Sequence, residues 1–407
     1  MSSNPPNRHT PSIRALLLFG SKGGDNAQIR MLAARLQLPA DSVQLSFNGL
    51  HVLPNFLRPS SLFSITRSAR DHLAKAERPD VVISSGKRSY RAARWVKERF
   101  GARTTWIHLG RPWGPSRAID LVLTVPQYGL PQGENVCVLP YPIRTLEFDD
   151  GRLAERRRPR LAVLVGGHSS THKLDQATVA ALVVEVRRLS TALGAQVTYL
   201  TSPRTPPSVC ATLRTQQAPG TEVRLWRRPP PGRTTHEYRD LLHEATAFMV
   251  TSDSASMVAD AFDTGKPVFV FRARKRLAAR VASSVESTLR GLFAAPTRRG
   301  AGRWPQRLAA SVITSGLLTP PRDMERLVDA LSIHGNSSPP PFPAAGLRSV
   351  HLERGGAATS LELAADAVSR LLARSQRPEE VPAATKIKAA RQRRPVLPAG
   401  GTRTLAR

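Results

Sequence analysis

The chain has 407 residues, a length that suggests two domains with ample cores, and no run of about 18 or more apolar residues that would read as a membrane span. Two cysteines, Cys137 and Cys210, exclude a disulfide framework and fit a reducing cytoplasm, and the polar start Met1 to Arg14 lacks the apolar stretch of a signal peptide. The formal charge of +30 comes from 51 arginines and only nine lysines, a bias that codon usage in a GC-rich genome produces as readily as function does.

After a flexible start over residues 1–13, apolar runs alternate with helical stretches. Ala15 to Phe19 reads as a buried strand and Gly20 to Asn26 as a glycine-rich loop. Ala27 to Leu36 then carries helical spacing through Ile29, Leu32, Ala33 and Leu36. Val81-Val82-Ile83 is the next strand, followed by the loop Ser84 to Ser89 and a helix from Tyr90 to Arg99. Thr104 to Leu109 and Leu121 to Leu123 are two more strands. This rhythm predicts a parallel, doubly wound sheet over residues 14–151, with ligands gathering at the strand C-termini.

Arg152 to Arg158 is charged and apolar-poor and reads as a linker. The rhythm restarts over residues 159–333. Leu161 to Val165 is a strand, Gly166 to His172 a second glycine-containing loop, and Gln176 to Leu193 a long helix. Val197 to Leu200 is a strand ending in Thr201-Ser202-Pro203-Arg204-Thr205, and Tyr238 to Ala245 a helix. Next come the strand Ala247 to Val250, the hydroxyl-rich turn Thr251-Ser252-Asp253-Ser254, the helix Ala255 to Asp263 and, past Gly265 and Pro267, the strand Val268-Phe269-Val270. A helix that opens at a strand end offers free N–H groups and the positive end of its dipole to a phosphate, and Ser252, Ser254 and Ser256 add donors. Asp260 is placed either to accept from ribose hydroxyls or on a solvated face.

Residues 334–375 combine a proline-rich linker with a strongly periodic helix from Ser360 to Ala373, which is expected to bury Leu363, Val368 and Leu371. Residues 376–407 are basic and proline-containing, have no apolar pattern, and read as a disordered tail. The excess positive charge favours anionic membrane surfaces or nucleotide sugars. Nucleic acid is the weaker choice, because aromatics make up 5% of the chain and nowhere interleave with basic residues.

Taken together, five segments resemble a family. They are Gly23-Gly24-Asp25-Asn26-Ala27-Gln28; Gln127-Tyr128-Gly129-Leu130-Pro131 with Asn135-Val136; Leu164-Val165-Gly166-Gly167; Thr201 to Thr205; and Thr251-Ser252-Asp253-Ser254-Ala255-Ser256-Met257. Their order and spacing resemble the proteobacterial relatives of the plant mitochondrial-fission (elongated mitochondria) proteins, usually assigned glycosyltransferase activity. The resemblance spans Leu16 to Phe271. It implies an α/β, GT-B-like fold of two Rossmann-like domains with doubly wound parallel sheets facing across a cleft, the acceptor side first and the donor side second.

Under that resemblance the donor side comprises Gly166, Gly167, His168, Ser169, Arg204, Ser252, Asp253, Ser254, Ser256, Met257 and Asp260. Asp260 stands where such enzymes commonly carry a longer Glu for the ribose. Arg204, at a strand end, has the fork geometry to clamp phosphate, or is one surface arginine among many. The acceptor-side loop supplies Lys22, Gly23, Gly24, Asn26 and Gln28. Asp25 is either the base that deprotonates an acceptor hydroxyl or the cap of the following helix, with His108 as the competing base. His168 and His172 lie four apart, but in a predicted loop without a carboxylate partner, so no metal or cofactor is expected. The expected activity is metal-independent transfer of a sugar from a nucleotide-diphosphate donor to a cell-envelope saccharide or lipid-linked acceptor. It would take place in the cytoplasm, with peripheral contact to an anionic inner membrane. A nucleotide-sugar epimerase of the same fold and a non-catalytic fission-type adaptor are the alternatives.

Overall fold

The computed structural model describes residues 13–48, 62–112, 116–143, 159–169, 171–227, 237–277, 322–334, 349–352, 354 and 358–375. The expected loop, linker and tail segments at 1–12, 144–158, 335–348 and 376–407 lie outside them. In the first half the elements are β1 (Ala15–Phe19), α1 (Gly23–Arg35), β2 (Ala40–Gln44), α2 (Arg67–Lys75), β3 (Val81–Ser85), α3 (Gly86–Phe100), β4 (Thr105–Leu109), β5 (Leu121–Thr124) and β6 (Val136–Val138). The strands form one parallel sheet in the order β2-β1-β3-β4-β5-β6. All five residues of β1 are buried, as a strand covered on both faces requires.

The second half contains β7 (Arg160–Val165), β8 (His172–Lys173), α4 (Gln176–Leu193), β9 (Gln196–Thr201), α5 (Pro207–Arg214), β10 (Thr221–Arg224), α6 (Glu237–Glu244), β11 (Ala247–Thr251), α7 (Ala255–Asp263), β12 (Val268–Phe271), β13 (Arg274–Lys275), α8 (Met324–His334), β14 (Ser349–Leu352) and α9 (Ser360–Ser375). Its sheet runs β10-β9-β7-β11-β12-β14, parallel except for β14, which lies antiparallel on β12. Among the described residues no helix is long and apolar enough to cross a membrane.

Each sheet is sandwiched. In the first, α1 and α9 pack on one face through Ile29, Leu32, Ala364 and Val368, while Leu73 of α2 and Val96 of α3 pack on the other. In the second, α6, α7 and α8 cover one face and α4 and α5 the other. Helix α9 belongs to the second half in sequence, yet it buries Ala364, Ala365, Val368 and Leu372 against the first sheet. Of the residues expected inside, Val368 is fully buried, while Leu363 and Leu371 are half-buried at the edge of that cluster. Tyr141 makes the reciprocal crossing. Its ring packs edge-on against Phe262 in the second domain's core, and its hydroxyl donates to Asp263 at 2.8 Å.

Both strand orders reverse beside the first strand of the domain, between β1 and β3 and between β7 and β11. Crevices at such reversals, outside the strand C-termini, are where open α/β sheets bind ligands. Helices α1 and α3 start earlier than their spacing predicts, at Gly23 and Gly86. The glycine-containing segments expected as loops are therefore partly the first turns of helices.

Candidate functional site

At the first reversal, Asn26 pins the segment after β1: its side chain accepts from the Gly20 N–H at 2.8 Å and donates to the Gly20 carbonyl at 3.0 Å. Asn26 thus shapes the loop expected on the acceptor side, with both atoms of its amide engaged by Gly20. Lys22 is the residue that precedes α1, which leaves Asp25 in the first turn and overturns the capping alternative. The Asp25 carboxylate faces Gly86, whose φ of +78° and missing Cβ leave room for it; a Cβ there would lie 3.4 Å from Oδ2. Asp25 lines a cavity of about 350 Å³ with Lys22, Gln28, Arg111, Gln127 and Arg322, over a floor of Leu109, Leu123 and Leu139.

Burial holds the Asp25 carboxyl above the usual carboxylate range, with Lys22 and Arg322 opposing that shift. A carboxyl raised in the folded state contributes stability that is full at low pH and lost as pH rises through the raised value. At neutral pH its charge is therefore a net cost to folding. Asp25→Asn is expected to raise the melting temperature at pH 7 and to leave it nearly unchanged at pH 3. Paired thermal melts check this, and a lower melting temperature at pH 7 would contradict it.

His108, the competing base, is excluded by its position. Its side chain is fully buried within β4, with Nδ1 2.8 Å from the Ser84 hydroxyl and Nε2 3.3 Å from the Arg111 carbonyl. Burial pushes its pKa down to about 4. A neutral imidazole already bonded at both nitrogens beneath the cavity has no route to an incoming hydroxyl. His172 is also buried, and its pKa also falls to about 4, chiefly through burial. Histidines lowered in this way contribute stability above their unfolded pKa that is lost as pH falls. The fold should accordingly lose stability between pH 6.5 and 4, which an acid titration followed by circular dichroism reads directly.

The second reversal repeats the arrangement of an aspartate under a glycine. Asp253 is buried, and its Oδ2 accepts from the Gly167 N–H at 2.8 Å and from Arg204 at 3.4 Å. Burial raises its pKa, opposed by the Gly167 N–H, the Thr251 hydroxyl and Arg204. A Cβ on Gly166 would sit 2.2 Å from Asp253 Oδ2, and one on Gly167 would sit 2.0 Å from the Arg204 carbonyl oxygen. Gly166, Gly167 and Asp253 were expected to touch the donor. Instead the glycines make room for the protein's own carboxylate and carbonyl, and Asp253 holds Arg204 from below.

Three more expected donor contacts point elsewhere. The Ser252 hydroxyl accepts from the Ala273 N–H at 3.0 Å and is buried. Ser169 Oγ accepts from the His172 N–H at 2.9 Å, closing its own turn. His168 Nδ1 accepts from the Leu174 N–H at 3.2 Å, which occupies that ring nitrogen. Among the described residues no group of three or more His, Cys, Asp or Glu side chains could hold a metal ion.

What remains converges. Arg204, Ser254, Ser256, Met257 and Asp260 line one cavity of about 390 Å³ together with Gly24 and Gln28 of α1. The cavity therefore has walls from both domains, and Gln28 and Ile143 also line the Asp25 cavity. Ser254 is the last residue before α7, and its hydroxyl lies 3.5 Å from that of Ser256. Asp260 is buried rather than solvated, and its Oδ2 accepts from the Tyr238 hydroxyl at 3.0 Å. Half of the Arg204 side chain is exposed, so its guanidinium reaches the cavity while leaning on Asp253.

The sequence reading missed Trp226, Tyr238 and Arg322. Trp226 lines the cavity at the start of α7 and is 39% exposed, unusual for so large an apolar ring, and its backbone N–H donates to Thr201 Oγ1 at 2.8 Å. Its signal was an aromatic two residues past β10, a strand too short and too polar to be recognised. Arg322 comes from just before α8: its Nε donates to Gln127 Oε1 at 3.1 Å, and the next N–H, of Asp323, donates to the Gln127 carbonyl at 2.9 Å. No sequence pattern marked it.

The family model described as mitochondrial fission ELM1 matches residues 23–308. The chain belongs to that family. No curated protein matches it. Among solved structures it is similar to a UDP-GlcNAc 2-epimerase from Methanocaldococcus jannaschii, at 12% identity over 89% of this chain and 99% of that one, with a TM-score of 0.44. A UDP-N-acetylglucosamine 2-epimerase from Rickettsia bellii gives 13% identity over 89% and 96%, TM-score 0.42, and MurG from Acinetobacter baumannii 13% over 88% and 100%, TM-score 0.38. The ELM1-family chain's own two Rossmann-like sheets, with a cavity lined from both, make the GT-B arrangement.

Proposed function

We propose that this ELM1-family protein is a glycosyltransferase that takes a nucleoside-diphosphate sugar in the cavity at the start of α7. The observation that carries the reading is that this cavity is walled by both domains and opens beside the Asp25 cavity. The N–H groups of the first turn of α7, Ser254, Ser256 and the guanidinium of Arg204 supply phosphate donors in one place. Asp260, steadied by Tyr238, takes the ribose, and the ring of Trp226 takes the base by stacking. The acceptor oxygen attacks the anomeric carbon, and the bond from that carbon to the diphosphate breaks with its electron pair leaving on the diphosphate. Asp25 receives the acceptor's proton. Arg204 and the helix start hold the developing negative charge, so the reading calls for no resident metal. The acceptor is a cell-envelope saccharide or lipid-linked saccharide met on the cytoplasmic side, with the basic surface drawn to anionic lipid.

Calorimetry against a panel of nucleoside diphosphates, without added metal, tests this. Arg204→Ala and Ser254→Ala should each weaken binding by about ten- to a hundred-fold, the worth of one hydrogen bond to a charged group. Asp260→Ala should narrow the preference for ribo- over deoxyribonucleotides, and Asp25→Asn should spare binding while lowering transfer by about 10²–10⁴. If no nucleotide binds at millimolar concentration, both the transferase and the epimerase readings fall and a fission-type adaptor takes their place.

A further inference from the structure

We infer that the Asp25 cavity accepts an anionic group, a phosphate or carboxylate carried by the acceptor close to its reacting hydroxyl; this rests on the transferase reading above. The cavity's charges are unbalanced. Lys22, Arg111 and Arg322 line it, and among the described residues Asp25 is the only carboxylate that does. Lys22 and Arg322 make no ion pair among the described residues, although this chain pairs many of its other basic side chains. Arg322 is nonetheless held in place. Its Nε is bound to Gln127, which is 2% exposed, so the guanidinium's terminal nitrogens are pre-oriented beside the cavity.

A neutral saccharide would find this lining poorly matched. Sugar hydroxyls are served by amides and carboxylates as well as donors, whereas guanidinium and ammonium groups offer donors only. An anion fits the excess charge, and the low-polarity floor of Leu109, Leu123, Leu139 and Ile143 strengthens its attraction to the cations. The donor's own diphosphate is provided for elsewhere, by Arg204 and the start of α7. The two cavities share Gln28 and Ile143, neither of which is charged.

The test titrates inorganic phosphate into the full-length protein, alone and saturated with uridine diphosphate, and follows both ligands by calorimetry. Phosphate should bind in both states. Lys22→Ala and Arg322→Ala should each weaken phosphate by about ten- to a hundred-fold and leave nucleotide affinity unchanged. Lys22 is exposed and makes no ion pair within 4 Å among the described residues, so its variant keeps the fold even if loss of the Arg322–Gln127 contact does not. Phosphate binding that neither variant alters, or that nucleotide displaces and Arg204→Ala abolishes, overturns the anion subsite even where nucleotide binds. A failure of nucleotide with phosphate retained removes the transferase reading, and with it the acceptor as the anion's carrier, while the anion subsite itself stands. Glucose 6-phosphate, glucuronate and short-chain phosphatidic acid, titrated in the same way, separate a phosphosugar, a carboxylated sugar and a lipid phosphate as the source. Binding by none of the three also overturns the proposal.

Discussion

A chain cut after His334 is expected to be insoluble, while one ending at Ser375 keeps every contact described for the second half. The cut removes α9 and β14. Ala364, Ala365, Val368 and Leu372 leave the first sheet's core and uncover Ile29, Leu32, Leu109 and Leu121. At about 1–3 kcal/mol for each buried aliphatic side chain, the loss approaches the 5–15 kcal/mol that holds a typical domain folded. Two further contacts go as well: the Ser360 hydroxyl that accepts from the Tyr141 N–H at 3.2 Å, and the Arg354–Asp263 pair at 3.5 Å. Removing β14 also exposes β12 as a new edge, with Phe269 no longer stacked on His351 at 4.9 Å. An apolar edge of that kind invites pairing with other copies. Soluble yield and a cooperative melt are the measurements, and a well-behaved truncated protein would refute the role given to α9.

Gly167→Ala should be the most damaging added methyl group among the described glycines. The added Cβ meets the backbone of Arg204 and Thr205 at 2.0 to 2.7 Å, and backbone atoms cannot turn aside as a side-chain tip can. The loop after β7 and the turn after β9 must separate, which breaks the Gly167–Asp253 hydrogen bond and releases Arg204 from its support. Overpacking of this kind costs about 1–3 kcal/mol. Nucleotide affinity should fall by at least about tenfold, as when Arg204 itself is lost. Gly24→Ala is the control, because nothing lies within 4 Å of its added methyl group and α1 gains a better helix former. It should stabilise by about 0.5–1 kcal/mol. Urea midpoints for both variants decide the matter, and equal behaviour would mean that the two loops are not in contact.

The alternation of apolar runs with helical spacing was enough to show two parallel, doubly wound sheets, and in α4 and α7 it was enough for both ends. Asp175 caps α4 by accepting from the Thr178 N–H at 3.0 Å, and Gly194 ends that helix at a φ of +58°. Such signals act within one turn of helix, so they can be read from neighbouring residues. β2 and β10 were missed for the converse reason. They are edge strands with mostly exposed or half-buried side chains, held by backbone bonds to β1 and β9 and not by an apolar pattern of their own.

Residue types alone pointed to the two cavities at the strand ends, because glycine pairs and a hydroxyl-rich turn there are local features. Which of those residues face a ligand was decided by partners far away in the chain. Gly167 and Asp253 are 86 positions apart, Ser84 and His108 24, and Gln127 and Arg322 195. Each of those pairings assigned a role: a supporting carboxylate instead of a donor contact, a buried histidine instead of a base, and an arginine in the Asp25 cavity that no motif marked. Local sequence sets backbone preference and the period of burial. The direction of a polar side chain is set by whichever donor or acceptor the packed sheets bring within 3 Å or so of it, since a buried polar group left unpaired costs about 1–3 kcal/mol.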